Sequence, residues 1–283
     1  MTRAMLITHT HPADGSDAVA EAVAETAKAA RAANVELIAT PDEHEKHGEA
    51  AAGIERVADG ERPDVCIVLG GDGSILYALR RFADTGVPVF GINFGTIGFL
   101  AAVERGQFSE GLERAFKGDF EVLDLPALKA DLPVERPLAL NDVSFVRRPH
   151  GRVAVLSYAI GEEEVGNVRC DGLVAATPAG STGYNLANAG PILAWGVKGY
   201  VVSFIAPHTL AARALVVAPG DALQVRNAAG REPVEISLDG EPAGELAPGA
   251  QLTIRFEESV GRLAQLPGAN FYHRIREKFG KLA

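Results

Sequence analysis

The sequence predicts a mixed fold, an α/β domain with a parallel sheet followed by a second, largely antiparallel β domain. Over residues 1–100, short apolar runs alternate with segments of helical pattern. This alternation is typical of β-α-β units and of a parallel sheet covered on both faces. Beyond residue 100, strand-like runs are separated by Gly, Pro, Asn and Asp, which favour the turns of an antiparallel sheet.

The predicted strands of the first domain are short, continuous apolar runs that fit buried parallel strands. They are AMLIT (4–8), VELIAT (35–40), VCIVLG (65–70) and VPVFGIN (87–93). Between them, the Ala-rich segment 17–33 predicts a helix with Asp17 as its N-cap. Segments 47–59 and 74–84 predict two further helices, the first of them weakened by Gly53.

The second domain is expected to consist mainly of strands. Its strand-like runs are LALNDVSFVRR, RVAVLSYAI, YVVSFIAP, LQVRN, VEISLDG and LTIRFEES. Helical patterns occur at 108–119 and at the C-terminus. We therefore predict a Rossmann-like domain at 1–100, joined by the C-terminal helix (262–283), and a β-sandwich-like domain at 101–261. An active site is expected between the two, where small-molecule clefts commonly lie.

The charge of the chain narrows the classes of ligand. Its 283 residues carry a formal net charge of −10, which argues against non-specific binding of nucleic acid or of an anionic membrane. There are two cysteines, Cys66 and Cys170, and no apolar run approaches the 18 residues of a membrane-spanning helix. We expect a cytoplasmic protein that binds no nucleic acid and no membrane.

The third predicted strand runs into the sequence GGDGS, residues 70–74. Glycines at this place allow a tight turn and a close approach of backbone amides to a ligand. If Ser74 begins the following helix, the helix N-terminus favours a phosphate group. Asp72 would then accept a proton from a hydroxyl group or hold a metal bound to the phosphate. The alternative is a plain strand–helix turn with an aspartate cap, and the segment alone does not decide between the two.

Other motifs in the sequence limit the kinds of binding site to which the GGDGS turn can belong. No G-x-x-x-x-G-K-[ST] is present, and G-x-G-x-x-G fails because Leu76 stands at the third glycine position. GINFGTIGFL (91–100) would allow a second close backbone approach beside the first. Asn141 and Asp142 begin a predicted strand and can recognise a base edge and a ribose hydroxyl. The stretch 169–193 combines an Asp-Gly turn, a loop rich in small and hydroxyl residues, and Tyr184 as a stacking ring.

These segments together resemble the NAD kinase family. GGDGS alone is similar to the phosphate-binding turn of phosphofructokinases, of diacylglycerol and sphingosine kinases, and of NAD kinases. The chain has no T-I-D-N-D element of a phosphofructokinase, and a lipid kinase is expected to lack the TPAGSTGY loop and to have a less acidic surface. The resemblance implies transfer of a phosphoryl group from ATP, with Mg²⁺, to the 2′-hydroxyl of the adenosine ribose of NAD. It also implies a homodimer or homotetramer.

The resemblance assigns a role to each matching position. Asp72 matches the catalytic aspartate, and Gly73 matches its glycine neighbour in the binding turn. Asn141 and Asp142 match the pair that holds the adenosine side, and Asp171 matches a further dinucleotide-binding aspartate. The remaining substrate-binding positions are Arg152, Arg169 and the loop residues Thr182, Gly183, Tyr184, Asn185, Leu186 and Ala187.

Several positions depart from the family pattern or have a simpler interpretation. Gly183 replaces a frequent alanine, and Tyr77 replaces a basic residue that is expected to contact phosphate. His9, His11 and His208 are further candidates near phosphate or dinucleotide.

Simpler interpretations remain open for nine residues. The simpler interpretations are a core aromatic for Tyr184, a turn for Asp171, a solvated strand edge for Arg147, Arg148 and Arg152, surface positions for His44 and His47, and a hairpin turn for Asp239 and Gly240. A nucleotide sensor without catalysis is the alternative from another functional class.

Overall fold

The computed structural model describes residues 2–8, 16–96, 98–228 and 231–280. The chain divides into two compact units. Unit 1 comprises Met1–Asp124 and Gly261–Ala283, and unit 2 comprises Leu125–Val260.

Unit 1 has a parallel sheet whose strands alternate with helices. In chain order its elements are β1 (Arg3–Thr8), α1 (Ser16–Ala32), β2 (Glu36–Ala39), α2 (Pro41–His47), β3 (Glu55–Arg56), β4 (Val65–Gly70), α3 (Asp72–Arg81), β5 (Val89–Asn93), β6 (Val103–Glu104) and α4 (Phe108–Lys117), followed by β7 (Glu121–Ala130), which runs into unit 2. Short 3-10 turns lie at Gly48–Ala51 and Arg105–Gln107.

The order of strands in unit 1 identifies where a ligand can bind. The sheet runs β5-β4-β1-β2-β3, and all of these neighbours are parallel. The chain builds outward from β1 through β2 to β3, then crosses to β4 on the other side of β1. The order therefore reverses between β1 and β4, where Thr8 pairs with Leu69. In open α/β sheets, ligands bind beyond the carboxyl ends of the strands at such a reversal.

Two helix boundaries in unit 1 differ from the prediction. The predicted helix at 47–59 is wrong, because α2 precedes it at Pro41–His47. Pro41 occupies the start of α2, where it is tolerated, and Gly48 ends the helix with a positive φ of 50°. Helix α3 begins at Asp72, with Gly71 as its N-cap residue, and not at Ser74. Asp72 thus belongs to the first turn of the helix.

Unit 2 consists of two antiparallel sheets. Its further elements are β8 (Leu138–Ala139), β9 (Asp142–Arg147), β10 (Ala154–Ile160), β11 (Glu163–Cys170), β12 (Gly172–Ala176), α5 (Tyr184–Ala187), β13 (Tyr200–Ile205), β14 (Leu215–Val217), β15 (Leu223–Asn227), β16 (Val234–Leu238), β17 (Glu241–Leu246) and β18 (Gln251–Gln265). One sheet runs β14-β13-β12-β9-β16-β17, and the other contains β11-β10-β15-β18. Phe145 and Tyr200 of the first sheet share one buried cluster with Leu156 of the second. The predicted α/β plus β fold is confirmed.

The last part of the chain returns to unit 1. The end of β18 pairs in parallel with β5, and helix α6 (Phe271–Phe279) follows. The side chain of Asn270 caps α6 by accepting hydrogen bonds from the amides of Tyr272 and His273. Because β18 continues to Gln265, the helix occupies only part of the predicted range 262–283.

The compact units differ from the sequence prediction at one boundary. Helix α4 buries Phe108, Leu112 and Phe116 in the core of unit 1, so that this unit extends to Asp124 instead of residue 100. The division into functional domains stays a prediction. Cys66 and Cys170 are fully buried, as small core residues. Among the described residues, no helix has the length and apolarity needed to cross a membrane.

Candidate active site

Asp72 lies at the carboxyl end of β4, beside the reversal of strand order. Its two carboxylate oxygens each accept a backbone hydrogen bond from the segment that follows β5. Oδ2 accepts from the amide of Phe99 at 2.9 Å, and Oδ1 accepts from the amide of Leu100 at 2.8 Å. These bonds fix the orientation of the carboxylate, and each oxygen keeps further acceptor capacity.

The two glycine-rich turns of unit 1 lie directly against each other, as predicted. A Cβ atom placed on Gly95 would lie 2.9 Å from the Cα of Gly71, so the second turn has no room for a side chain at Gly95. Asn93 stabilises the second turn, because its Oδ1 accepts from the amide of Gly95 at 2.9 Å. By contrast, a Cβ atom on Gly73 would meet nothing within 4 Å. Open space therefore borders Gly73.

A polar cluster at the carboxyl end of β1 was missed in the sequence. Thr8 is fully buried, and its Oγ1 donates to Glu43 Oε2 at 2.6 Å and lies 2.7 Å from His47 Nε2. Burial alone would raise the pKa of Glu43, but hydrogen bonds from His47, Lys46 and Thr8 together hold it below its usual value. The interpretation of His47 as a surface residue is wrong, because its side chain is only 10% exposed. His44 is half-buried.

Asn141 and Asp142, in unit 2, are held by the carboxylate of Asp239. Asp239 Oδ2 accepts from the amide of Leu140 at 2.9 Å, and Oδ1 accepts from the amides of Asn141 at 2.6 Å and Asp142 at 3.0 Å. Asp239 and Gly240 form the β16–β17 hairpin turn with φ values of 53° and 83°, as the sequence indicated. The turn aspartate also fixes the backbone that presents the predicted binding pair.

Asp142 is a buried residue, with an exposed fraction of 7%. Burial, together with the negative charge of Asp239, raises its pKa to about 7. Tyr184 lies near enough that the charge of Asp142, added to burial, raises the pKa of the phenol. Asp142 can therefore carry a proton close to neutral pH.

The raised pKa of Asp142 predicts a pH dependence of stability. The folded-state pKa lies above the unfolded value of 3.8, so the native state retains a proton that the unfolded chain loses. The stability of the native state with Asp142 protonated is fully present below about pH 4. It is lost as the pH rises through about 7. Between about pH 5 and 8, the native chain should lose on the order of 2–3 kcal/mol of unfolding free energy relative to Asp142→Asn. Denaturant unfolding of both proteins at the two pH values measures this difference. A difference that does not change with pH would contradict the assignment.

The TPAGSTGY loop packs against the same Asn141 segment. The amide of Thr177 donates to the carbonyl of Asn141 at 2.9 Å, and Thr177 Oγ1 donates to the carbonyl of Leu140 at 2.6 Å. A Cβ atom on Gly180 would lie 2.0 Å from the carbonyl oxygen of Asn141. The predicted dinucleotide-binding loop and the Asn-Asp pair are therefore brought together, with contacts at Thr177 and Gly180.

Replacing Gly180 by alanine should separate these two segments. The added methyl group would overlap the Asn141 carbonyl, so we expect a loss of at least about 1–3 kcal/mol in unfolding free energy. Gly220→Ala is a control from the same unit, because Gly220 is exposed, has no positive φ, and its added Cβ atom would meet nothing within 4 Å. Thermal unfolding of the two variants compares them. Equal stability of both would contradict the packing described here.

The predicted binding residues of the loop differ in their exposure to solvent. Tyr184 is 38% exposed, so its interpretation as a core aromatic is wrong. Gly183 and Ala187 are exposed, and Thr182 and Leu186 are half-buried. Asn185 is fully buried, and its Nδ2 donates to the carbonyls of Ser181 and Pro191, each at 3.0 Å. Its amide nitrogen therefore holds the loop together.

Asp171 forms a two-point ion pair with Arg147. The Nε of Arg147 lies 2.6 Å from Oδ1 and its Nη2 lies 3.3 Å from Oδ2. This pairing lowers the pKa of Asp171, to which the nearby His208 contributes. Asp171 is the single residue between β11 and β12, so it is a turn residue as well as a candidate ligand.

The remaining predicted positions are dispersed. Arg169 is exposed on β11, and Arg152 is exposed with its amide bonded to Glu232. Arg148 pairs with Glu245. Tyr77 is 48% exposed, and the neighbouring Arg81 bonds to Asp59 at 2.7 Å. His9 and His11 lie outside the described residues.

Two family models match the chain over most of its length. The ATP-NAD kinase N-terminal domain matches residues 16–120, and the ATP-NAD kinase C-terminal domain matches residues 140–263. An NAD kinase of Symbiobacterium thermophilum is 38% identical over 220 residues, which is 76% of this chain and 78% of the relative. An NAD kinase of Gemmatimonas aurantiaca is 34% identical over 232 residues, 80% of each chain.

Solved structures have the same fold. Yeast NADH kinase, crystallised with NADH, matches 100% of this chain and 89% of its own, with a TM-score of 0.86 and 21% identity. An NAD kinase of Archaeoglobus fulgidus, in complex with ATP, matches 99% of this chain and 98% of its own, with a TM-score of 0.73 and 24% identity. The two matched domain models, together with relatives of this identity and coverage, show that the chain belongs to the ATP-NAD kinase family.

Proposed function

We propose that this protein transfers the γ-phosphoryl group of ATP to the 2′-hydroxyl of the adenosine ribose of NAD, producing NADP and ADP. The observation that carries the proposal is the position of Asp72. Its carboxylate lies at the carboxyl end of β4, at the reversal of strand order, and two backbone amides orient it. A carboxylate held in this way can receive a proton from an attacking hydroxyl group.

In the proposed reaction, the ribose O2′ attacks the γ-phosphorus while the bond from that phosphorus to the β–γ bridging oxygen breaks. ADP leaves with the bridging oxygen, and the hydroxyl proton passes to Asp72. A carboxylate is a weak base towards an alcohol, and phosphoryl transfer depends mostly on positioning and on neutralisation of charge. We therefore assign Asp72 to orienting the hydroxyl group and taking its proton late.

Magnesium enters the proposal as part of the donor substrate, the Mg²⁺ complex of ATP. Among the residues that the structure describes, no three His, Cys, Asp or Glu side chains gather into a set able to hold a metal ion. The open space beside Gly73 supports phosphate binding at this turn, because a phosphate can approach the first amides of α3 there.

Residues of unit 2 are proposed to bind the dinucleotide. Asn141 and Asp142 would hold the adenosine side, with Asp171 as a further ligand. The support is that Asp239 holds the backbone of the pair, and that Tyr184, whose ring is partly exposed, lies near enough to Asp142 to be affected by its charge. Gly73, Arg152 and Arg169 complete the set. A cytoplasmic location and a homodimer or homotetramer belong to the same proposal.

Incubation of the purified chain with NAD, ATP and Mg²⁺ tests the proposal, with NADP measured by an NADP-specific dehydrogenase. We expect NADP to accumulate in proportion to enzyme and time. Binding of NAD without NADP formation, with either ATP or inorganic polyphosphate as the donor, would contradict a kinase and favour a nucleotide sensor.

A further inference from the structure

The turn that holds Asp72 is itself held from its other side by the C-terminal segment. Three successive carbonyl groups of this turn accept side-chain hydrogen bonds. Arg274 Nη1 donates to the carbonyls of Phe99 at 2.9 Å and Ala101 at 2.6 Å, and Gln265 Nε2 donates to the carbonyl of Leu100 at 2.8 Å. Arg274 Nη2 also donates to Gln265 Oε1, which joins the two side chains.

One peptide group connects these contacts directly to Asp72. The carbonyl between Phe99 and Leu100 accepts from Arg274, while the amide of the same peptide group donates to Asp72 Oδ1. A guanidinium, a peptide group and a carboxylate therefore form one chain of hydrogen bonds. Such chains polarise each member, so the bond to the carboxylate is strengthened by the donor at the far end.

The charge of Arg274 reinforces this arrangement. Burial lowers the pKa of its guanidinium, while the negative charges of Asp72, Glu104 and Glu277 act in the opposite direction. Arg274 also has a fixed position, because Asn270 caps α6 and the helix residues Phe271 and Ile275 are buried. The ring of Phe271 meets that of Phe99 edge-on, with 5.8 Å between centroids.

We propose that Arg274, together with Gln265, is a positioning residue for the phosphoryl-transfer reaction, acting on Asp72 through the turn of residues 99–101. This proposal rests on the proposed function, since it concerns the orientation of the proposed base. In this proposal Arg274 acts through the backbone of the turn and not by binding the substrate. It restricts the two amides that aim the carboxylate, and small displacements of reacting groups can lower rates about 10²-fold.

Arg274→Met tests the proposal, with Arg276→Met as the matched control. Arg276 lies two residues further along α6, is exposed, and contacts His273 of the same helix. We expect Arg274→Met to lower kcat about 10- to 100-fold with little change in KM for NAD or ATP. Arg276→Met should leave both constants near the native values. Arg274→Lys retains the charge and some donors, so it should recover part of the rate.

A double-mutant cycle with Asp72→Asn distinguishes an effect of Arg274 on the position of Asp72 from a general destabilisation of unit 1. If Arg274 acts through Asp72, adding Arg274→Met to Asp72→Asn should cause little further loss. The proposal would be overturned if the fold-loss in kcat of the double variant equalled the product of the two single losses. An unchanged kcat in Arg274→Met would overturn it as well. If Arg274→Met does not fold, Gln265→Met removes the bond to Leu100 and serves in the same cycle. A native chain that makes no NADP would instead refute the proposed function.

Discussion

Replacing Asp72 by asparagine should lower kcat about 10²- to 10⁴-fold, the range expected when a group that transfers a proton is lost. Asparagine retains one oxygen that can accept from Phe99 or Leu100, and its NH2 group, which cannot accept, loses the other of the two bonds. Its amide group cannot take the proton of the ribose hydroxyl, and it removes a negative charge beside the first turn of α3. Binding of NAD should change less than turnover. Steady-state NADP formation and titration of NAD binding measure the two effects.

Asp59→Asn is a suitable control for this experiment. Asp59 also lies in unit 1, its side chain is 80% exposed, and it bonds to Arg81. We expect this variant to have nearly native turnover. Turnover of Asp72→Asn within a few-fold of native would show that another group accepts the proton.

Replacing Asp239 by alanine should weaken both NAD binding and the stability of unit 2. One carboxylate accepts from three successive amides, and hydrogen bonds to charged groups contribute more than neutral ones. Loss of these bonds should lower the unfolding free energy by about 2–4 kcal/mol. The freed Leu140–Asp142 backbone should also raise KM for NAD about 10-fold or more, because the predicted binding pair is no longer held in place.

Asp239→Asn distinguishes the effect of losing the carboxylate charge from the effect of straining the hairpin turn. Asparagine tolerates the positive φ of 53° at this position. It should retain part of the stability and still bind NAD less well than the native chain. Asp131→Asn is the control for charge, since Asp131 is a half-exposed residue of unit 2 paired with Arg255. Native KM values in Asp239→Ala would mean that the hairpin turn does not support the binding pair.

The architecture could be predicted because its signals are local. Buried parallel strands are continuous apolar runs, and the strand predicted at 65–70 coincides with β4. The prediction of a helix at 47–59 was wrong because it relied on the Ala-rich composition of this segment and not on the residues that mark where a helix begins and ends. Those signals were Pro41, which starts a helix, and Gly48, which ends one.

The candidate site was only partly visible in the sequence. Asp72 stands out because glycines surround it at a strand end. Asp239 was correctly interpreted as a hairpin residue, but its partners lie 97 to 99 residues earlier in the chain. Arg274 carries no local signal, because its role depends on the return of the C-terminal helix to unit 1. Contacts that the fold creates between distant segments cannot be found from spacing alone.

The most direct measurement follows the γ-phosphate of ATP into the dinucleotide. The native chain is incubated with γ-³²P-labelled ATP and Mg²⁺, with either NAD or its analogue lacking the 2′-hydroxyl of the adenosine ribose. The account predicts labelled NADP from NAD and no label in the deoxy analogue. Label in the deoxy analogue, or none in NAD, would contradict phosphoryl transfer to the 2′-hydroxyl.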